Sequence, residues 1–141
     1  MRMVLELLPT LIPAASIPLR LALGVAFIVH GRPKLFGESA KQTRGFVKSI
    51  GIPPIFAPLA GLAEFVGGIA LLLGFLTPLA GILLAIEMIA TTIVSKTKLQ
   101  KKYVLGYELD LIYFAGSLTL AFLGGGPLSV DAGIGTVWRP G

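Results

Sequence analysis

Arg20, His30, Lys34, Glu64, Glu87, Glu108 and Asp131 are the residues of this chain best suited to hold a polar ligand or move a proton, and several interrupt stretches that are otherwise apolar. A charged side chain facing hydrocarbon unpaired costs about 2.5–3.5 kcal/mol on insertion scales. Arg20, Glu64 and Glu87 each fall near the middle of an apolar run, so they are expected to point inward and toward one another. The pairing expected from depth is Arg20 with Glu64, because a guanidinium can meet a carboxylate through two parallel hydrogen bonds that offset much of the desolvation. Glu87 is then either a second partner or a carboxylic acid that stays neutral in apolar surroundings. Two roles remain open for the set. The charges either hold a helical bundle in register or line a polar pocket for a small molecule, a proton route or a quinone headgroup.

His30 is the single histidine. It cannot supply both axial ligands of a haem, and a zinc site would need neighbours that the sequence does not show, so no metal is expected. It either donates a hydrogen bond to a carbonyl at the membrane surface or caps the first helix, with Gly31 providing a left-handed stop. Glu64 and His30 are therefore the candidate catalytic, proton-handling groups.

The elements that position these residues must be membrane helices. Of 141 residues, 55% are hydrophobic and 13% charged, and the mean hydropathy is +0.88; soluble domains carry about 25% charged residues. One all-α domain over residues 1–141 is expected: an integral membrane four-helix bundle. Its spans fall at residues 11–30, 55–76, 78–95 and 104–123, each roughly 27–33 Å of helix. Thr77 and Pro78 alone link the middle two spans, which makes them an antiparallel hairpin. Between the first two, SAKQTRGFVKSI (residues 39–50) reads as a short interfacial or re-entrant helix with Ser39 as its N-cap. Small or polar residues recur at packing distance, as Ala22, Ala26 and His30; Ala60, Glu64 and Gly68; Gly81, Ala85 and Ile89; and Gly116, Leu120 and Gly124. After Leu123 the chain is glycine-rich and expected to be non-helical, with Asp131 either solvated or reaching back over the bundle mouth.

Cysteine is absent, so the protein has no thiolate or disulfide chemistry of its own. The pI of about 9.8 does not indicate nucleic acid, since the cations flank apolar runs. Arg32, Lys34, Lys41, Arg44 and Lys48 lie in one long loop and Lys96, Lys98, Lys101 and Lys102 in another, against Arg2 and Arg139 on the opposite side. That asymmetry places both long loops in the cytoplasm and both termini outside a cell membrane. Tyr103, Tyr107 and Trp138 suit an interfacial aromatic belt. The opening MRMVLELLPTLIPAASIP begins like a targeting sequence, but Glu6 and its prolines break the apolar run, and it is expected to be retained.

With those residues placed, a resemblance emerges. Arg20 in RLALGVAF, then HGRPKLFG, GFVKSIGIPP, AEFVGGIALLLGFLTPLAG and YELDLIYFAGSLTLAFLGGGPLSVD stand in an order that resembles the DoxX family of small four-helix membrane proteins, over about residues 17–132. The resemblance implies a helical membrane subunit. Some members of that family are tied to thiosulfate:quinone oxidoreduction and others to membrane-associated redox complexes. Carried over residue by residue, it points to Arg20, His30, Lys34, Glu64, Glu108 and Asp131, with Arg20, Lys34, Glu108 and Asp131 as substrate-binding positions; Glu87 has no counterpart in the pattern. The reading that follows is a bilayer-embedded subunit of a quinone-linked oxidoreductase, with no intrinsic cofactor, that binds a borrowed quinone or a small oxyanion. The rivals are a non-enzymatic membrane anchor for a soluble redox partner protein and a small transporter.

Overall fold

The computed structural model describes residue 11 and residues 14–135; Arg2, Glu6, Trp138 and Arg139 lie outside the described residues. Helix α1 spans Ser16–Leu35, α2 Gly37–Ser49, α3 Phe56–Leu73, α4 Thr77–Thr97, α5 Glu108–Leu123 and the one-turn α6 Val130–Gly133. Every regular element among the described residues is helical. Three segments are long and apolar enough to cross a membrane: Phe56–Leu73, Thr77–Thr97 and Tyr103–Leu123. Helix α1 matches them in length, about 30 Å at 1.5 Å per residue, but Arg20, Arg32 and Lys34 dilute its apolar run.

The first helix does not stop at His30. It continues through Gly31, Arg32, Pro33 and Lys34, because Gly31 serves packing and not termination. A β-carbon there would come within 2.6 Å of the Phe65 backbone nitrogen and 2.8 Å of the Gly61 carbonyl. Pro33 lies in the last turn and has no backbone donor for the Val29 carbonyl, and the helix ends two residues later, at Leu35. The stop comes at Phe36, which is extended (φ −121°, ψ 146°). Helix α2 then begins two residues earlier than expected, so Ser39 lies inside it and makes no cap.

Helices α1 and α3 run antiparallel in close contact. Gly24 abuts Gly68 and Gly31 abuts Gly61, so the seven-residue spacing on one helix meets the same spacing on the other. Bare backbone surfaces allow the axes to approach until dispersion contacts form along the seam. Helices α4 and α5 make a second tight antiparallel pair, in which Gly81 faces the Ser117 carbonyl and Ala121. The stripe through Ala22 and Ala26 is not the seam: Ala22 is exposed and Ala26 half-buried, whereas Gly24 and Gly31 are buried. Leu23, Phe27, Leu71, Ala80, Leu84, Met88 and Leu120 form the core between the two pairs.

Gly74 ends α3 in the left-handed conformation (φ 67°), with the amide of Phe75 donating to the Ala70 carbonyl at 2.8 Å, the usual glycine-based helix stop. Thr77 and Pro78 are thus the first turn of α4, and the link is Gly74–Leu76. At the far end of α4 the fourth expected span is broken. Val104, Leu105 and Gly106 are non-helical, Leu105 at φ 58°, and regular helix resumes only at Glu108. Tyr103 and Tyr107 stack edge-on across this turn, ring centres 5.4 Å apart. The glycine-rich tail also departs from expectation. Ser129 accepts a hydrogen bond from the amide of Ala132 at 3.1 Å, and this cap starts the one-turn helix α6.

Candidate functional site

The buried charged residues Arg20, Glu64 and Asp131 divide between two places. At the end of the bundle marked by the α3–α4 turn, Arg20 is buried, 4% exposed. Its guanidinium donates to the carbonyl of Gly125 and, at 2.7 Å, to that of Leu128. Asp131 reaches back over the bundle mouth and is buried. Its carboxylate accepts from the amides of Leu76 at 2.7 Å and Thr77 at 2.9 Å, which supplies the N-terminus of α4 with the acceptor that Leu76 cannot provide. Asp131 is also within electrostatic range of Arg20, and its own amide donates to the Gly74 carbonyl at 2.9 Å. Arg20 and Asp131 therefore clamp the segment after α5 onto the α3–α4 turn, and a side chain at Gly74 would overlap the guanidinium.

The expected Arg20–Glu64 pair is not formed. Glu64, 3% exposed, meets Lys34, whose Nζ stands 2.6 Å from Oε2 as a close ion pair outside hydrogen-bond alignment. Lys34 issues from the last turn of α1, and Glu64 lies eight residues into α3, about 12 Å of rise from its start. Glu87 joins them from α4. Glu64 is ten residues before Gly74 and Glu87 ten after Thr77, so the hairpin brings the two acids to one depth. Both oxygens of Glu87 are buried and lack hydrogen-bond partners among the described residues. The carboxyl is electrostatically coupled to Glu64 and Lys34. One ammonium and two carboxyl groups thus share the apolar interior, an arrangement that can hold a polar headgroup or a proton.

The other expected site residues stand apart from this cluster. His30 is exposed one turn before Lys34, its ring edge-on to Tyr113 of α5 with centres 5.9 Å apart. Glu108 accepts the amide of Leu105 at 2.8 Å and so supports the left-handed turn before α5. Asp110, in the same first turn of α5, accepts from Ser95 Oγ at 3.0 Å and ties α5 to α4. No group of three or more histidine, cysteine or acidic residues able to hold a metal ion occurs among the described residues.

Replacing Asp131 with alanine removes both acceptors from the start of α4. The expected cost is about 0.5–2 kcal/mol, the range for a lost N-cap. Hydrogen exchange localises it: the amides of Leu76 and Thr77 should exchange faster while those around Glu64 keep their protection. Unchanged exchange at both amides would show that the cap does not hold the turn.

An all-helical chain with long apolar segments and a charged cluster among them is a membrane helical-bundle protein. It belongs to the DoxX family, which it matches over residues 15–97. The chain is 32% identical over 113 residues to "Putative oxidoreductase CatD" of Bacillus subtilis, covering 80% of this chain and 81% of that protein. It is 29% identical over 120 residues to "Inner membrane protein YqjF" of Escherichia coli, with 84% and 91% covered. It is 33% identical over 132 residues to "Uncharacterized membrane protein Rv3486" of Mycobacterium tuberculosis, with 84% and 80% covered. No solved structure matches the chain.

Proposed function

We propose that this protein is the membrane subunit of a quinone-linked oxidoreductase and that the Lys34–Glu64 cluster binds the quinone headgroup or a small oxyanion such as thiosulfate. The observation that carries the reading is the ion pair itself, a lysine and a carboxylate meeting at 2.6 Å inside an apolar bundle with a further acid beside them. A lysine ammonium has donors for a carbonyl or an oxyanion, and Glu64 can accept or return a proton as a bound quinone is reduced or oxidised. The electrons must come from a partner, because the side chains of this protein carry none. The name of the Bacillus subtilis relative supports oxidoreduction as the setting. The side bearing Lys41, Arg44, Lys48, Lys96, Lys98, Lys101 and Lys102 faces the cytoplasm in this reading, which follows the distribution of cations around the helices.

The test is binding of a short-chain benzoquinone to the protein in lipid nanodiscs. Wild type is expected to bind it, and folded Glu64→Gln to lose that binding. Equal affinity in the two proteins removes Glu64 from the site. The membrane-anchor reading draws on the exposed lysines Lys96, Lys98, Lys101 and Lys102. It predicts a soluble partner that copurifies with wild type and is lost when those four are neutralised; undiminished recovery of the partner excludes docking on that loop.

A further inference from the structure

Glu87 is the half-buried acid of the cluster that quinone binding leaves unused. It projects from α4 at the depth of Glu64, with both carboxyl oxygens buried and without hydrogen-bond donors among the described residues. The charged groups around it come from two helices: Glu64 from α3 and Lys34 from α1. From α5, the acid that meets α4 is Asp110, at Ser95, eight residues farther along. The irregular turn Tyr103–Tyr107 lies beyond that point, at the opposite end of α4 from Thr77. Lys34 is the cation of the cluster and already pairs with Glu64. Two ionised carboxylates beside one ammonium would leave an unbalanced charge in an apolar interior, where desolvation disfavours it.

We propose that Glu64 and Glu87 form an intramembrane proton site, in which Lys34 balances the carboxylate of Glu64 while the carboxyl of Glu87 holds the proton. One ammonium, one carboxylate and one carboxylic acid sum to zero charge. Moving the proton breaks the O–H bond on Glu87, forms one on Glu64 and leaves the sum at zero, so the proton can pass between α4 and α3 without creating net charge in the bilayer. The site stands on the cluster alone and does not depend on quinone binding.

Two measurements on the full chain in quinone-free liposomes test it. The first is infrared spectroscopy of the carboxylic-acid carbonyl stretch in wild type and Glu87→Gln. This substitution exchanges an unpartnered acid for an amide of the same shape, so folding is expected to be kept. Loss of a neutral-acid band in Glu87→Gln supports the proposal; superimposable spectra, or no such band in wild type, overturn it. The second is labelling with dicyclohexylcarbodiimide, an apolar reagent that adds to protonated carboxyl groups, read by peptide mass spectrometry. An adduct on Glu87 and not on Glu64 is expected, and in Lys34→Gln an adduct on both, since the balancing cation is gone. Labelling of Glu64 in wild type, or of neither acid, counts against the assignment. Because no quinone is present, a negative result here leaves the quinone experiment standing, and the converse also holds.

Discussion

Lys34→Met is expected to cost the folded bundle about 3–5 kcal/mol, the penalty for leaving one member of a buried ion pair without its partner. The Glu64 carboxylate sits 3% exposed with the lysine ammonium at 2.6 Å, and methionine keeps the length of the stem while removing the charge. Replacing both partners tells a different story. Lys34→Met with Glu64→Leu removes the charge and its counter-charge together, and such exchanges are often neutral or even stabilising. The double variant is therefore expected to unfold close to wild type while Lys34→Met alone unfolds much earlier, with thermal unfolding in one detergent as the measurement. A double variant as unstable as the single one would mean that Lys34 contributes through packing and not through its charge.

The second large effect belongs to the α1–α3 seam. Gly31→Leu places a β-carbon 2.6 Å from the Phe65 nitrogen and 2.8 Å from the Gly61 carbonyl, both backbone atoms that cannot swing aside. Overpacking usually costs about 1–3 kcal/mol, and a clash between two backbones belongs at or above the top of that range. The helices must separate to relieve it, and separation also draws Glu64 away from Lys34. Gly45 is the control. It lies inside α2 with open space where a β-carbon would be, so Gly45→Ala is expected to raise stability by about 0.5–1 kcal/mol by removing glycine's extra chain entropy. Should Gly31→Leu unfold at the temperature of wild type, the seam is not closed at Gly31.

Hydropathy alone carries the all-helical membrane architecture, because long apolar runs have few other ways to satisfy their backbone groups. The partners of the buried charges were harder to read from depth. Arg20 and Glu64 look level when the first helix is drawn over residues 11–30; its regular part runs over Ser16–Leu35 instead, which moves Arg20 toward one end and Lys34 inside. The sequence does contain the register. Gly24 and Gly31 match Gly68 and Gly61, and that pairing sets residue 28 level with Glu64. Helical side chains lean toward their own N-terminus, so Lys34 leans toward the middle of α3 and Glu64 leans to meet it. Arg20 leans outward, toward the carbonyls after α5. Seam glycines combined with side-chain lean thus favour Lys34 over Arg20 as the partner of Glu64. The Arg20 acceptors could not be anticipated in this way, because they are main-chain carbonyls in a glycine-rich segment whose path no periodicity reports. Glu108 and Asp131 were legible as polar positions, but their use in holding backbone amides depends on the left-handed turns at Leu105 and Leu76.

The clamp at the α3–α4 turn also imposes an order on biogenesis. Arg20 is synthesised more than a hundred residues ahead of the carbonyls that receive it, Gly125 and Leu128. Leu76, held at φ 47°, likewise precedes the carboxylate of Asp131 that its amide requires. A nascent chain emerging helix by helix from the ribosome must therefore carry an unmatched guanidinium and an uncapped hairpin until the segment after Leu123 arrives, and arrival of that segment is what locks the earlier helices in place.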